Sequence, residues 1–536
     1  MYDLIIQSGC IVDGSGAPWY RADIAVKDGI IAKVGNLKDE AANRYIIATG
    51  LIVAPGFIDI HSHDDLHILE NPFMETKVRQ GVTTTVIGNC GFGLYPVLPV
   101  NEKLFREYAI GLFGEPERKP FGFAQFDGFI EALNRRGAAV NVSSFVAHGV
   151  LRVSVMGFDN RKPTNAELDK MKSLLRQALR SGSVGMSLGL VYPPGSYADT
   201  EELIELSKVV AVEGGIVSSH IRNEAGYLLD SLDEMLTLAK EANVPLEISH
   251  LKAIGFSNFG KAKEALRKIS TAKNEGVDVT FDQYPYPSGS TTATRFMPPW
   301  ALEGGIKEML QRIRYQPTRE RIIRDIKDGI PNSRWEPMWK VNGWKNMMIC
   351  SVEKPENKTF EGRNVEELAN QLNQDPITFM LNLLDDEEGR VMMINFQQDK
   401  NDLEAIMTSD LQMFGSDGLP LRGKKAHPRL YGSFARVLGT YVREHGLLTL
   451  ERAVMKMTYM PANRLGLFDR GLIRPGMAAD LTIFNRQTIT DLASYTNPAV
   501  HPKGIETVIV NGALVLENGS ITGELPGKAL RSMCRN

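Results

Sequence analysis

From about residue 54 to residue 467 the chain repeats one pattern, a short apolar, β-branched run followed by a segment with helical spacing. Strand then helix, many times over, specifies a parallel sheet, and about eight such units close into a (β/α)8 TIM barrel. Candidate strands end near Ile60, Ile87, Val146, Leu190, Val217, Ile248, Phe281, Asn395 and Phe414. Amphipathic segments at 166–180, 200–213, 227–242 and 261–275 lie between them, their apolar residues at helical spacing. These nine candidates exceed what the barrel uses, and the run at 390–396 is the surplus one.

The two ends have a different texture. Within 1–53, apolar and polar residues alternate through Asp3-Leu4-Ile5-Ile6 and Ile24-Ala25-Val26, and Asp28-Gly29 supplies a hairpin turn. Within 468–536, Asp480-Leu481-Thr482-Ile483-Phe484 is one strand, and Thr507-Val508-Ile509-Val510 turns at Asn511-Gly512. Isolated hairpins are marginal in water. The ends are therefore expected to combine into one small β-domain, leaving 54–467 to the barrel. About 287–345 breaks the repeat with Pro298-Pro299-Trp300, a basic helical stretch, and Trp335, Trp339 and Trp344. An insertion of that length in a barrel loop is expected to act as a lid.

With 61 basic and 64 acidic side chains the net charge is −3, which offers no field to attract nucleic acid. No apolar stretch is long enough to span a bilayer. The N-terminus lacks the pattern of a secretory signal, and Cys10, Cys90, Cys350 and Cys534 show no disulfide spacing. The expectation is a cytoplasmic enzyme acting on a small molecule, with neither nucleic acid nor membrane as a partner.

Residues able to do chemistry stand at the strand ends. His61 and His63 close the first strand, and the period of two sends both imidazoles to one side. Later strands lead into Cys90, His220, His250 and Asp417. In a parallel barrel these ends surround one mouth. Four of the nine histidines fall in this set, which scatter does not explain. Taken singly, Cys90 reads as a small buried hydrophobe and Asp417-Gly418 as a turn. His148 also ends a strand but is left outside the metal shell, lining the pocket or supporting it from behind. Together, thiolate and imidazole suit zinc, and three ligands with an open position make a catalytic site. Cys90, His220 and His250 would form such a shell. His61, His63 and Asp417 could hold a second ion, with Cys90 near enough to bridge. Zinc brings the pKa of its water to about 7, and Asp417 is the natural group to take that proton and pass it to a leaving nitrogen.

Pro55-Gly56-Phe57-Ile58-Asp59-Ile60-His61-Ser62-His63 resembles the mark of the amidohydrolase superfamily. Val82-Thr83-Thr84-Thr85-Val86-Ile87-Gly88-Asn89-Cys90-Gly91, His220-Ile221-Arg222-Asn223-Glu224 and Ile248-Ser249-His250-Leu251-Lys252 are similar to the N-acyl-D-amino-acid deacylases. So are Gly415-Ser416-Asp417-Gly418-Leu419-Pro420 and His427-Pro428-Arg429-Leu430-Tyr431-Gly432. The resemblance implies hydrolysis of N-acyl-D-amino acids to a carboxylate and the free D-amino acid. It implies a tight zinc on Cys90, His220 and His250, a weaker second site on His61, His63 and Asp417, and Asp417 as general base and acid. Lys252, Tyr284, Ser290 and Arg429 would hold the substrate, with Tyr192 near the pocket. A free α-carboxylate needs a cation and a hydroxyl donor, and arginine offers a two-pronged match. The loop Arg422-Gly423-Lys424-Lys425 is more basic than the family pattern, which bears on the side chain preferred. Another amidohydrolase, acting on cyclic amides or dipeptide-like substrates, is the nearest alternative. Enzymes for cyclic amides usually carry a carboxylated strand lysine, for which no equivalent stands here. A non-catalytic scaffold would have lost ligands that this chain keeps.

Overall fold

Buried on both faces, the runs of the repeat become eight parallel strands. They are β1 (Phe57–Asp59), β2 (Val82–Ile87), β3 (Asn141–Ala147), β4 (Gly185–Gly189), β5 (Ile216–His220), β6 (Leu246–Ile248), β7 (Val279–Gln283) and β8 (Gln412–Phe414). The computed structural model describes residues 1–117, 121–421 and 425–532. Each strand lies beside the next in sequence order, as βαβ units of one hand require. The last strand meets the first beyond the strand ends. There Ser62 bridges Gly418 in parallel, Asp417 N donates to His61 O (2.7 Å), and His63 N donates to Gly418 O (3.0 Å). Gly415 permits this approach, because a Cβ at that position would stand 2.6 Å from the Cβ of His61. The barrel expected from the repeat is the one observed.

The amphipathic segments are the helices Asn165–Ser181, Thr200–Val212, Leu228–Ala242 and Lys261–Asn274. Local chemistry sets where the first two begin. Thr164 and Glu167 form a capping box, and the Asp199 side chain accepts from Glu202 N. Their apolar faces, including Leu175, Leu203, Leu232 and Ile269, join the core around the barrel.

Both ends of the chain share one nine-stranded sheet. Ile52–Pro55 runs parallel to Tyr2–Ile11 and antiparallel to Leu481–Phe484, so it joins the two halves. Leu4, Ile6, Val53, Leu481, Ile483 and Ile509 pack within it. At the hairpin turns, Asp28-Gly29 (φ 52° and 77°) and Asn511-Gly512 (φ 48° and 83°) take the left-handed conformations that such pairs adopt readily. No helix among the described residues is long and apolar enough to cross a membrane.

The surplus run at 390–396 is the strand Met392–Phe396, and it lies outside the barrel. It pairs antiparallel with Ser288–Thr292 and Met347–Ser351. Helices between these strands close over a separate core that includes Phe296, Ile313, Ile349, Met380 and Leu384. The inserted segment therefore continues past residue 345 to Phe396. Along the sequence its tryptophans end at 344, and only pairing between distant strands carries it further. Trp339 and Trp344 stack at 5.7 Å and pack against this core.

A buried ion cluster sits at the barrel seam. Lys77 Nζ donates to Asp59 Oδ2 (2.6 Å) and Ser416 Oγ (3.0 Å) and stands 3.1 Å from Asp64 Oδ2. Asp59 in turn accepts from Ser416 N (2.7 Å) and Ser416 Oγ (2.6 Å). All three charged side chains are fully buried. Lys77→Met should therefore destabilise the protein by about 3–5 kcal/mol, the range for removing one partner of a buried pair. The measurement is the midpoint of urea unfolding at unchanged slope. Lys33→Ala, which breaks an exposed pair with Glu40, should leave that midpoint where it is.

Candidate active site

Strand ends aim six side chains at one space, and three of them do so from strained backbone. Cys90 (φ 52°), His250 (φ 35°) and Asp417 (φ 48°) adopt the left-handed region that favours glycine. Neighbouring groups hold each one there. His250 N donates to Asp282 Oδ1 (3.0 Å), Asp417 N to His61 O (2.7 Å), and Gly91 N to Ser187 Oγ (3.1 Å). Gly189 lies so close to Cys90 O that a Cβ would stand 1.9 Å away.

The side chains fall into three overlapping triples whose donor atoms lie within 4.8 Å of one another: His61, Cys90 and His250; His61, His63 and Asp417; His220, Glu224 and His250. The second triple is the one expected for the weaker ion. The expected set of Cys90, His220 and His250 appears differently, divided between two triples that share His250. Glu224 joins them, four residues after His220, where the first turn beyond β5 returns it to the cavity.

Partners fix the rings. His61 Nδ1 faces Asp282 Oδ2 (3.0 Å), leaving Nε2 toward Cys90 Sγ (3.2 Å) and Asp417 Oδ1 (3.6 Å). His250 Nε2 stands 3.4 Å from Cys90 Sγ. Its Nδ1 faces Glu224 Oε1 (3.2 Å) and Lys252 Nζ (2.8 Å). For Nε2 to present a lone pair, Nδ1 must carry the proton, and Glu224 is the acceptor at hand. Burial disfavours charge throughout, yet at Cys90 the neighbouring His61 and His250 outweigh it and hold the thiol well below its ordinary 9.0. Burial likewise opposes the Asp417 carboxylate, but Arg429 and His63 keep it well below the usual range. At His220 burial wins, so its imidazole is held neutral. His63 is raised to about 9, its hydrogen bond to Asp417 prevailing over burial.

Tyr192, Lys252, Tyr284, Ser290 and Arg429 line one cavity of about 80 Å3 together with His63, Cys90, His220, His250 and Asp417. Two of its cations are already engaged. Lys252 Nζ donates to Glu224 Oε1 (2.5 Å), and Arg429 Nη1 stands 2.8 Å from Asp417 Oδ2. Arg429 lies 4.6 Å over the Tyr284 ring and donates through Nη2 to Ser290 O (3.3 Å). Tyr192 OH meets Thr291 Oγ1 (3.0 Å), whereas the buried Ser290 Oγ has no partner among the described residues. His148 is behind this surface, its Nε2 on Glu202 (2.9 Å), which also pairs with Arg152. It supports rather than lines. Of the basic loop, Arg422, Gly423 and Lys424 lie outside the described residues, and Lys425 Nζ donates to Glu361 O (3.2 Å) in the inserted segment. Reading the sequence missed Asp282 and Glu224 as partners of the imidazoles. Their signal was present, an acid near a strand end, with Asp282 next to last in β7 and Glu224 four residues past β5, but acids there are common.

The chain matches the amidohydrolase family over residues 45–516. It is 36% identical to the D-aminoacylase of Alcaligenes xylosoxydans xylosoxydans, covering 99% of this chain and 97% of that one. The chain belongs to the amidohydrolase family, in its D-aminoacylase branch. The N-acyl-D-glutamate deacylase of the same organism is also 36% identical, over 99% of this chain and 96% of its own. Among solved structures, an N-acyl-D-glutamate deacylase from Bordetella bronchiseptica, complexed with zinc and a phosphonate inhibitor, superposes with a TM-score of 0.83 at 34% identity, covering 99% of this chain and all of that one.

The charge environment of Cys90 has a measurable consequence. After treatment with a chelator, iodoacetamide should label Cys90 ahead of Cys350, whose thiol burial pushes up to about 12. Labelling of Cys90 should stay nearly level as the pH falls from about 8 to 6, because its thiolate persists, while an ordinary thiol, below its pKa throughout, slows roughly tenfold per unit. Mass spectrometry of the labelled peptides reads both.

Proposed function

We propose that the protein hydrolyses the amide bond of N-acyl-D-amino acids, giving a carboxylate and the free D-amino acid, with zinc as its metal. One observation carries this reading: a single cavity brings the Cys90 sulfur, the imidazoles of His63, His220 and His250 and the Asp417 carboxylate together with Arg429, Lys252, Tyr284 and Ser290. Sulfur and nitrogen donors of this kind fit zinc. Cys90, His220 and His250 would hold the tight ion, and His61, His63 and Asp417 a weaker one. When bound, zinc polarises the scissile carbonyl and acidifies the attacking water.

The chain's own residues do the rest. Asp417, held ionised, accepts the proton of the attacking water and delivers it to the departing nitrogen. Arg429 has N–H donors beyond those spent on Asp417 and Ser290 O, and Ser290 Oγ is a free hydroxyl beside them. Together they suit the α-carboxylate. With that carboxylate and the scissile carbonyl both fixed, the side chain has one direction left, so one enantiomer is accepted.

N-acetyl-D-amino acids should release free amine, and their L-enantiomers should not. Equal rates for N-acetyl-D-methionine and N-acetyl-L-methionine would end the proposal. Asp417→Asn should keep the fold and much of the zinc while lowering turnover by about 10²–10⁴-fold. Cys90→Ala should lose the tight zinc, read by elemental analysis of the purified protein, and an unchanged zinc content would remove Cys90 from the shell. Arg429→Ala should harm the free acid far more than its methyl ester, compared as kcat/KM for the two.

A further inference from the structure

Three polar side chains from distant parts of the chain meet beside Arg429. Ser288 opens the inserted segment's strand Ser288–Thr292, and His427 precedes the helix Arg429–Arg436. Tyr495 belongs to the loop that joins Leu481–Phe484 to Ile505–Val510 in the terminal sheet. The buried His427 Nε2 stands 2.8 Å from the buried Ser288 Oγ, which stands 2.6 Å from Tyr495 OH. A serine hydroxyl on an imidazole is the contact of a nucleophile with its base, but here the protons run the other way. Pro428 has no N–H, so the first donor of the helix is Arg429 N, which reaches His427 Nδ1 at 3.0 Å. A backbone N–H can only donate, so Nδ1 carries the lone pair. Burial, with the Arg429 charge nearby, keeps the ring neutral, and its one proton is therefore on Nε2. Nε2 donates to Ser288 Oγ, and Ser288 donates its own proton to Tyr495 OH. In this tautomer His427 cannot take a proton from Ser288, and the pair is not a hydrolytic one.

His427 instead joins two elements. Ser288 and Ser290 stand two apart on one strand, a spacing that puts their side chains on one face. Through His427 the main chain of Arg429 is tied to Ser288, and through Nη2 its side chain is tied to Ser290 O (3.3 Å). Arg429 is thus held to the same strand at both ends. Edge contacts with Tyr286 and Tyr495, each at 5.4 Å, keep the imidazole in the orientation this requires. The two groups proposed for the α-carboxylate, the Arg429 guanidinium and Ser290 Oγ, come from a helix beyond β8 and a strand of the inserted segment. Their separation depends on how those two elements are joined.

We propose that His427 is a positioning residue, a bridge from Ser288 to Arg429 that keeps the guanidinium and Ser290 Oγ in register for one substrate carboxylate; the inference rests on the deacylase reading above. The test compares kcat/KM for N-acetyl-D-methionine and its methyl ester in the parent, Ser288→Ala, Ser288→Thr, His427→Asn and the double variant Ser288→Ala/His427→Asn. Ser288→Ala should lower the acid-to-ester ratio about tenfold, within the range for leaving a buried donor unpaired, and should do so through a higher KM for the acid. Ser288→Thr keeps the hydroxyl and should keep the ratio. His427→Asn sets an oxygen where Nδ1 stands but cannot span to Ser288, so its ratio should fall as in Ser288→Ala. Because both residues act through one bridge, the double variant should fall about tenfold as well, not about a hundredfold. A parent-like ratio in Ser288→Ala overturns the inference, whichever of the other variants fold. So does an additive fall in the double variant, or a loss of kcat in Ser288→Ala that is equal for acid and ester. Each of these leaves the deacylase reading standing. A parent that hydrolyses neither compound removes that reading and this inference together.

Discussion

Lys77, enclosed by Asp59, Asp64 and Ser416, is the contact on which the arrangement of the barrel mouth depends, because β1 and β8 form no ladder with each other among the described residues. Closure falls instead to a few backbone bonds among residues 61–63 and 417–418. Those residues are also the ones that carry His61, His63 and Asp417. A buried lysine between two carboxylates gains little net stability, since desolvation offsets most of the attraction. What it provides is geometry. The ammonium reaches Asp59 at the end of β1, Asp64 just beyond His63, and Ser416 just before Asp417, so both sides of the seam are set by one group.

Strain at the mouth follows from the same requirement. Strands point their last side chains alternately in and out, and a donor placed just after the strand must turn sharply to face the centre. Cys90, His250 and Asp417 make that turn with a positive φ, at about 1–3 kcal/mol each. A glycine would adopt the conformation freely but has no donor to offer. Energy is spent there on aiming, and the surrounding hydrogen bonds hold the result.

Much of this was legible in the sequence, because each strand announces itself by its apolar run and each donor stands at a fixed place relative to it. His61, His63, Cys90, His220, His250 and Asp417 were all singled out that way, and their ligand atoms lie together in overlapping groups. Asp282 and Glu224 were harder. Their importance lies in which imidazole nitrogen they face, a relation between β1 and β7, or β5 and β6, that no local pattern encodes. The extent of the inserted segment was hidden for the same reason. Met392–Phe396 has the composition of a barrel strand, and only its antiparallel partners Ser288–Thr292 and Met347–Ser351 exclude it from the barrel.

Pairing within the cavity links binding to proton transfer. Arg429 holds Asp417 well below the usual carboxylate range, and in the proposed reaction it is also the guanidinium that would meet the substrate carboxylate. A second anion sharing that guanidinium weakens its hold on the first and adds a like charge nearby. Both changes raise the proton affinity of Asp417. A carboxylate too strongly stabilised is a poor base, so Asp417 is least suited to accept a proton when the cavity is empty and better suited once an anion has arrived. Lys252 stands in the same relation to Glu224, and through Glu224 to His250. The cations that would receive a substrate are thus the ones that quiet the acids beforehand, which is why a mouth so dense in charge can remain stable without its substrate.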